Sequence, residues 1–170
     1  MMGSGMLKVT TPTDLEIVMT RSFNAPRRLV WEAMTKPEFI RRWMFLPPGW
    51  TMIKCEEDPR VGGSFRWEWA GPDGKLAMAM GGVYREVVPP GEGGAGGRLV
   101  RTESFEMGCV PQMGEQHCTM VLTESGGKTL LTLNVKYPTK EARDGAIASG
   151  MEHGVSAGYD KLDAMLAAGG

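Results

Sequence analysis

Between Trp50 and Tyr137 the chain alternates apolar with polar or small residues at a period of two, stretch after stretch, and then changes to a one-sided helical period. That order predicts an antiparallel sheet followed by one amphipathic helix laid on its apolar face. Trp50, Met52 and Lys54 alternate with Thr51, Ile53 and Cys55, and Arg60-Val61-Gly62-Gly63 makes a turn or bulge into Phe65, Trp67 and Trp69, three aromatics on one face. Gly71-Pro72-Asp73-Gly74 is a hairpin signal, after which Leu76, Met78 and Met80 alternate with Ala77, Ala79 and Gly81 and the strand runs through Tyr84 to Val88. Strands resume over 98–107, 116–124 and 129–137, with Ser125-Gly126-Gly127 as a tight turn. The glycine-rich stretch 91–97 is a loop insertion inside the sheet; no Lys-Ser/Thr follows it, so it does not read as a phosphate loop.

Upstream, Leu15 to Phe23 is a strand, with Ile17, Met19 and the stem of Arg21 opposite Glu16, Val18 and Thr20. Asn24-Ala25-Pro26 supplies a capping side chain and a first-turn proline for a helix carrying Leu29, Val30, Ala33 and Met34. Lys36-Pro37 breaks that helix and starts a second, with Phe39, Ile40 and Trp43 at helical spacing before Pro47-Pro48-Gly49. Residues 1–13 are read as a disordered segment and 14–168 as a single domain. At the other end, Thr139 caps a long C-terminal helix with Glu141 in its first turn and Ile147, Met151, Val155, Tyr159, Leu162 and Met165 along one face. Gly145, Gly150, Gly154 and Gly158 fall inside it, each costing about 1 kcal/mol relative to alanine. Either close packing against the sheet or the approach of a ligand accounts for them.

Charge narrows the function classes. Nineteen basic and twenty acidic residues, without a block of one sign, give no electrostatic footprint for nucleic acid or an anionic membrane. No run of apolar residues is long enough for a membrane span and no signal-peptide pattern opens the chain, so a cytoplasmic address is expected. Cys55, Cys109 and Cys118 are an odd, scattered set, read as reduced thiols. His117 and His153 are the only histidines, His117 and Cys118 point to opposite faces of a strand, and no CxxC or HExxH spacing occurs. Neither a metal site nor a cofactor nor a catalytic residue is therefore expected. His153 reads as a half-exposed helix residue or as a polar anchor in a pocket. Glu56-Glu57-Asp58 reads as a solvated acidic edge, and Glu68 lies opposite the aromatic face. Arg101 and Glu103 share parity with Leu99 and Phe105: one strand phase buries them as a pair, the other exposes both. Fourteen methionines are more than a tightly specified core uses, and Met78, Met80, Met107, Met120 and Met151 lie on elements that face the space between sheet and helix. Such a stripe is plain core or an adaptable pocket.

The order of elements, together with several short motifs, resembles the prokaryotic branch of the activator of heat-shock protein 90 ATPase family, within the START and birch-pollen-allergen (SRPBCC) superfamily. The residues carrying the likeness are Arg21-Ser-Phe-Asn-Ala-Pro26, Val30-Trp31-Glu-Ala33 with Thr35-Lys-Pro37, Arg42-Trp43, Arg60-Val-Gly-Gly63 with Phe65, Gly71-Pro-Asp-Gly74, Gly82-Val-Tyr-Arg-Glu-Val87, and Glu141-Ala-Arg-Asp144 followed by Gly150-Met151 and Gly154. The resemblance implies an α+β helix-grip fold: a curved antiparallel sheet of about seven strands wrapped around a long C-terminal helix, with two short helices after the first strand. The chain departs from the family in the 91–97 insertion, in Val155 where relatives often carry Trp, and in Met44-Phe45 where a second Trp is common.

Relatives of this fold commonly enclose an elongated apolar cavity between sheet and helix, which makes Trp43, Phe65, Trp67, Trp69, Met78, Met80, Arg101, Glu103, Phe105, Met120, Met151, Val155 and Tyr159 the expected ligand-binding residues. The resulting expectation is a non-catalytic module that binds a hydrophobic small molecule, lipid-like, polyketide or aromatic, in a stress-response setting. Two alternatives follow from the family: a co-chaperone that stimulates the heat-shock protein 90 ATPase, and a polyketide cyclase-like enzyme using Arg101, Glu103 or His153. The expected partners are the small molecule and, on the second reading, a chaperone, with the chain a monomer or a homodimer.

Overall fold

The apolar alternation of the first long strand survives intact in the folded chain. In the computed structural model, which describes residues 6–91, 96–107 and 114–169, strand β2 (Glu16–Phe23) buries Ile17, Met19, Arg21 and Phe23 and leaves the residues between them half-exposed. One edge of β2 pairs along its whole length with β8 (Lys128–Lys136), from Glu16 opposite Lys136 to Phe23 opposite Thr129. The other edge takes β1 (Lys8–Thr10), so the segment expected to be disordered through residue 13 contributes an eighth strand. Three residues are too few for a period to be read; only the free edge of β2 gives them a partner. Met1–Gly5, the glycines at 93 and 94, Cys109 and the side chain of Met107 lie outside the described residues.

Two helices follow β2, as expected: α1 (Arg27–Thr35) and α2 (Pro37–Trp43). The cap of α1 differs from expectation. Pro26, not Asn24, stands at the N-cap, and the first helical N–H, that of Arg27, donates instead to Glu124 Oε1 at 2.8 Å. A distant hairpin thus satisfies a terminal donor that a local side chain was expected to satisfy. At the far end of the pair, the Trp43 indole donates to the Ala33 carbonyl at 2.8 Å and locks α2 to α1.

The remaining strands are β3 (Thr51–Glu57), β4 (Ser64–Ala70), β5 (Leu76–Val88), β6 (Arg98–Met107) and β7 (Gln116–Ser125). With the first two and β8 they form one antiparallel sheet in the order β1-β2-β8-β7-β6-β5-β4-β3. Register shifts interrupt the ladder at Met52/Lys54, Trp69/Ala70, Ala79/Met80 and Tyr84/Glu86. Each shift bends its strand and increases its twist, which is what curls so long a sheet. The shifts also reset side-chain phase. Met52 and Cys55 both turn inward across the first of them while Ile53 is 49% exposed, and across the second Leu76, expected inside with Met78 and Met80, is 41% exposed.

The single long C-terminal helix expected from the apolar spacing is two helices. The first, α3 (Lys140–Ala148), is capped by Thr139, whose Oγ1 accepts from the Ala142 N–H at 3.0 Å. Gly150 at φ +81° then breaks the chain before α4 (Met151–Ala167). A left-handed residue cannot continue an α-helix, so Ile147, placed by spacing on the apolar face, ends at the break and is 45% exposed. Helix α4 lies against the sheet with Tyr159 and Leu162 in the same core as Phe23, Trp43, Phe65 and Leu131. Its rotation is fixed by a buried charge: Arg21, only 3% exposed, reaches Asp160 at 2.8 Å and Asp163 at 3.6 Å.

Candidate functional site

Between the sheet and α4 the side chains leave a cavity of about 510 Å³. Its walls are period-2 faces: Trp67 and Trp69 from β4, Met78 and Met80 from β5, Leu99, Arg101, Glu103 and Phe105 from β6, and Gln116, Cys118 and Met120 from β7. Helices supply Trp43, Met151, Val155 and Tyr159. Residues 44–47 and the α3–α4 junction form the rim, where Pro47 and Ser149 are exposed.

Of the residues expected to bind a ligand, Trp43, Trp67, Trp69, Met78, Met80, Arg101, Glu103, Phe105, Met120, Met151, Val155 and Tyr159 are brought to the lining. Phe65 is not. It shares parity with Trp67 and Trp69, yet it sits behind the wall, 2% exposed, edge-on to Trp67 at a centroid separation of 5.3 Å. Among the described residues seven methionines line the space: Met19, Met34, Met44, Met78, Met80, Met120 and Met151. Met19 lies on the buried face of β2 and Met34 on α1; their alternation and helical spacing were legible, but not that both elements reach the cavity.

One end of the cavity is polar. The open phase of β6 resolves inward: Arg101 Nε and Nη2 donate to Glu103 Oε2 at 3.0 and 2.8 Å, and the Gln116 amide donates to Glu103 Oε1 at 2.8 Å. The guanidinium lies over the Phe65 ring at 4.0 Å and near the Trp67 ring at 4.9 Å, which is the role Phe65 plays. Burial opposes the Arg101 charge, but Glu103, Tyr84 and Glu57 around it hold its pKa above the usual arginine value. Behind the wall Glu57 accepts from the Trp67 indole at 2.7 Å and from the Tyr84 hydroxyl. Burial raises the Glu57 carboxyl above its ordinary pKa, against the pull of Arg101, Tyr84 and Trp67. Glu57 belongs to a run read as a solvated edge; the residue signal that separates it from Glu56 is its place opposite Phe65 in the β3–β4 ladder, which only pairing reveals.

Burial likewise pushes the Cys55 thiol up to about 11, with Glu57 adding to the effect, and holds Cys118 well above the ordinary thiol value. Both are free thiols. His117 is exposed while Cys118 is buried, as their adjacency on a strand requires. His153 is exposed beside the rim, edge-on to Phe45 at 5.8 Å, and is not part of the lining. Among the described residues no three His, Cys, Asp or Glu side chains are grouped to hold a metal ion, and no helix is long and apolar enough to cross a membrane.

Residues 24–167 match the family model described as activator of Hsp90 ATPase homolog 1-like protein. Among solved structures the chain is similar to a Rhodobacter sphaeroides protein, with 31% identity over 96% of this chain and 99% of that one and a TM-score of 0.85. The protein Ms6760 of Mycobacterium smegmatis, 22% identical over 95% and 97% of the two chains with a TM-score of 0.78, shares the fold. So does an Arthrobacter aurescens protein, 22% identical over 96% and 92% with a TM-score of 0.77. No curated protein matches.

Proposed function

Since the chain belongs to the family of activator of Hsp90 ATPase homolog 1-like proteins, we propose that it is a non-catalytic module that binds a hydrophobic small molecule between the sheet and α4. The observation that carries this reading is the cavity itself, whose 510 Å³ falls within the range of about 300–1,000 Å³ typical of small-molecule sites and whose walls are mostly Trp, Phe, Met, Leu and Val. Seven unbranched thioethers spread around one cavity suit a pocket that adapts to several shapes or fills its own space when empty. The fold family often binds hydrophobic ligands, which supports the same reading. The polar groups within reach are committed to one another, Arg101 with Glu103 and Glu103 with Gln116, as expected of structural rather than reacting groups. Two buried free thiols fit a reducing compartment, so we place the module in the cytoplasm.

The test is a panel of flavonoids, sterols, fatty acids and polyketides, followed by tryptophan quenching and thermal shift. Trp43, Trp67 and Trp69 line the cavity, so an occupant changes their emission. A ligand at one hundred times its Kd stabilises the folded state by about 2.7 kcal/mol, which raises the Tm of a domain this size by several degrees. No quenching and no shift across the panel overturns the proposal.

A further inference from the structure

One group at the polar end of the cavity is not committed to another. Tyr159, on α4, is 5% exposed and lines the space. Phe23 stands edge-on to its ring at 5.6 Å and Trp43 is tilted against it at 5.7 Å, so the ring is held from two sides. Its hydroxyl makes no hydrogen bond among the described residues, where every wholly enclosed side-chain nitrogen or oxygen has a partner. The hydroxyl is therefore open to the space that its ring borders, which is the cavity. Burial raises its pKa, so at neutral pH it keeps its proton and can donate; the next influences on it come from Cys118, Arg101 and Glu103, which puts it at the polar end. The carboxylates there are already filled. The Glu103 oxygens receive Arg101 Nε, Arg101 Nη2 and the Gln116 amide, with Cys118 bonded to the same carboxylate, and Glu57 receives Tyr84 and the Trp67 indole. Donors remain: Arg101 keeps N–H groups beyond those given to Glu103 and to the Tyr84 oxygen, and Gln116 keeps a second amide N–H.

Resting on the binding reading above, we propose that the cavity takes a neutral apolar ligand with a carbonyl oxygen at its buried end, and that the Tyr159 hydroxyl donates to that oxygen. A hydrocarbon of the same shape fills the space but closes the hydroxyl off without a partner, and an unpaired buried donor is costly. A carbonyl accepts from the hydroxyl and offers a second lone pair to the N–H groups at the same end. The charge of Arg101 is already matched by Glu103, so nothing at this end calls for an anion.

Two ligands of one shape test this, 4-acetylbiphenyl and 4-isopropenylbiphenyl, in which a methylene replaces the carbonyl oxygen. Both are titrated by tryptophan quenching at neutral pH into wild type and Tyr159→Phe, which keeps the ring and removes only the hydroxyl. The ketone is expected to bind the variant about three- to tenfold more weakly than wild type, the scale of one hydrogen bond between neutral groups, while the hydrocarbon loses nothing. The Tm of the ligand-free variant is expected not to fall, because no bond inside the protein is lost. An unchanged ketone affinity in folded Tyr159→Phe, or equal losses for both ligands, overturns the carbonyl assignment and leaves the binding reading in place. So does a Tm lower by about 2–4 °C, the size of one lost internal hydrogen bond in a domain of this length. Infrared spectroscopy of the ketone bound to wild type keeps the test decisive should the variant not fold. Its carbonyl stretch is expected below the value in hexane, and a stretch at the hexane value overturns the assignment. If neither ligand binds, the binding reading falls and the assignment falls with it.

Discussion

Three glycines of the C-terminal segment, alike in sequence, answer differently to the same substitution. Gly154 lies inside α4, where a Cβ would meet only Phe45 Cδ2 at an ordinary 3.7 Å. Gly154→Ala therefore keeps the helix-propensity gain of about 1 kcal/mol, and Tm rises by about 2–4 °C for a domain of this length. Gly158 is also helical, but its Cβ would stand 3.3 Å from the Trp43 carbonyl and 3.4 Å from the Phe45 N–H nitrogen. That neighbour is backbone, held by the Trp43 indole bond to Ala33, so it yields little. Overpacking of this kind costs about 1–3 kcal/mol, which exceeds the propensity gain, and Gly158→Ala lowers Tm. Gly150 has nothing within 4 Å, yet its φ of +81° lies in the left-handed region, where a side chain costs about 1–2 kcal/mol; Gly150→Ala also lowers Tm despite the open space. Thermal unfolding by circular dichroism, paired with urea titration, reads all three. If Gly158→Ala stabilises as much as Gly154→Ala, the close approach of α4 to residues 43–45 is wrong. If Gly150→Ala is neutral or stabilising, the helix is continuous and the break is wrong.

Two further outcomes follow from buried groups. Glu57 holds its proton more tightly folded than unfolded, so its contribution to stability is present below the ordinary carboxylate value of 4.5 and is lost as pH rises through the raised folded value. Urea midpoints of wild type and Glu57→Gln, compared between about pH 4 and pH 8, should show the variant gaining on wild type as pH rises; a gap that stays constant or shrinks refutes the burial argument. Cys55, raised from 9.0 to about 11, carries about a hundredfold less thiolate at mildly alkaline pH than an ordinary cysteine. Site-resolved mass spectrometry after iodoacetamide treatment should find Cys55 modified at least that much more slowly in native than in urea-unfolded protein, and equal rates contradict its burial.

Local pattern carried much of the fold. Strand alternation in 16–23, 64–70 and 116–125, the proline at the start of α2, the hairpin at 71–74 and the Thr139 cap are all one-neighbourhood signals, and all stand in the structure. Parity also placed Trp67 with Trp69 and Arg101 with Glu103, because side chains two apart on a strand share a face whatever the strand pairs with. Parity failed where the ladder shifts register, at Ile53 and Leu76, and where the wall bends away, at Phe65. It said nothing of Glu57, whose burial depends on Trp67 and Tyr84 arriving from two other strands.

The sequence by itself therefore determined the kinds of element, their order and the family, since periodicity, turn residues and caps act over a few residues of chain. Only the tertiary structure decided which face of β6 looks inward, that the glycine at 150 ends one helix and begins another, and that Arg101, Glu103 and Gln116 meet at one end of an otherwise apolar space. Those are matters of register and curvature, set by contacts between segments far apart in the chain, and no window of local sequence contains them.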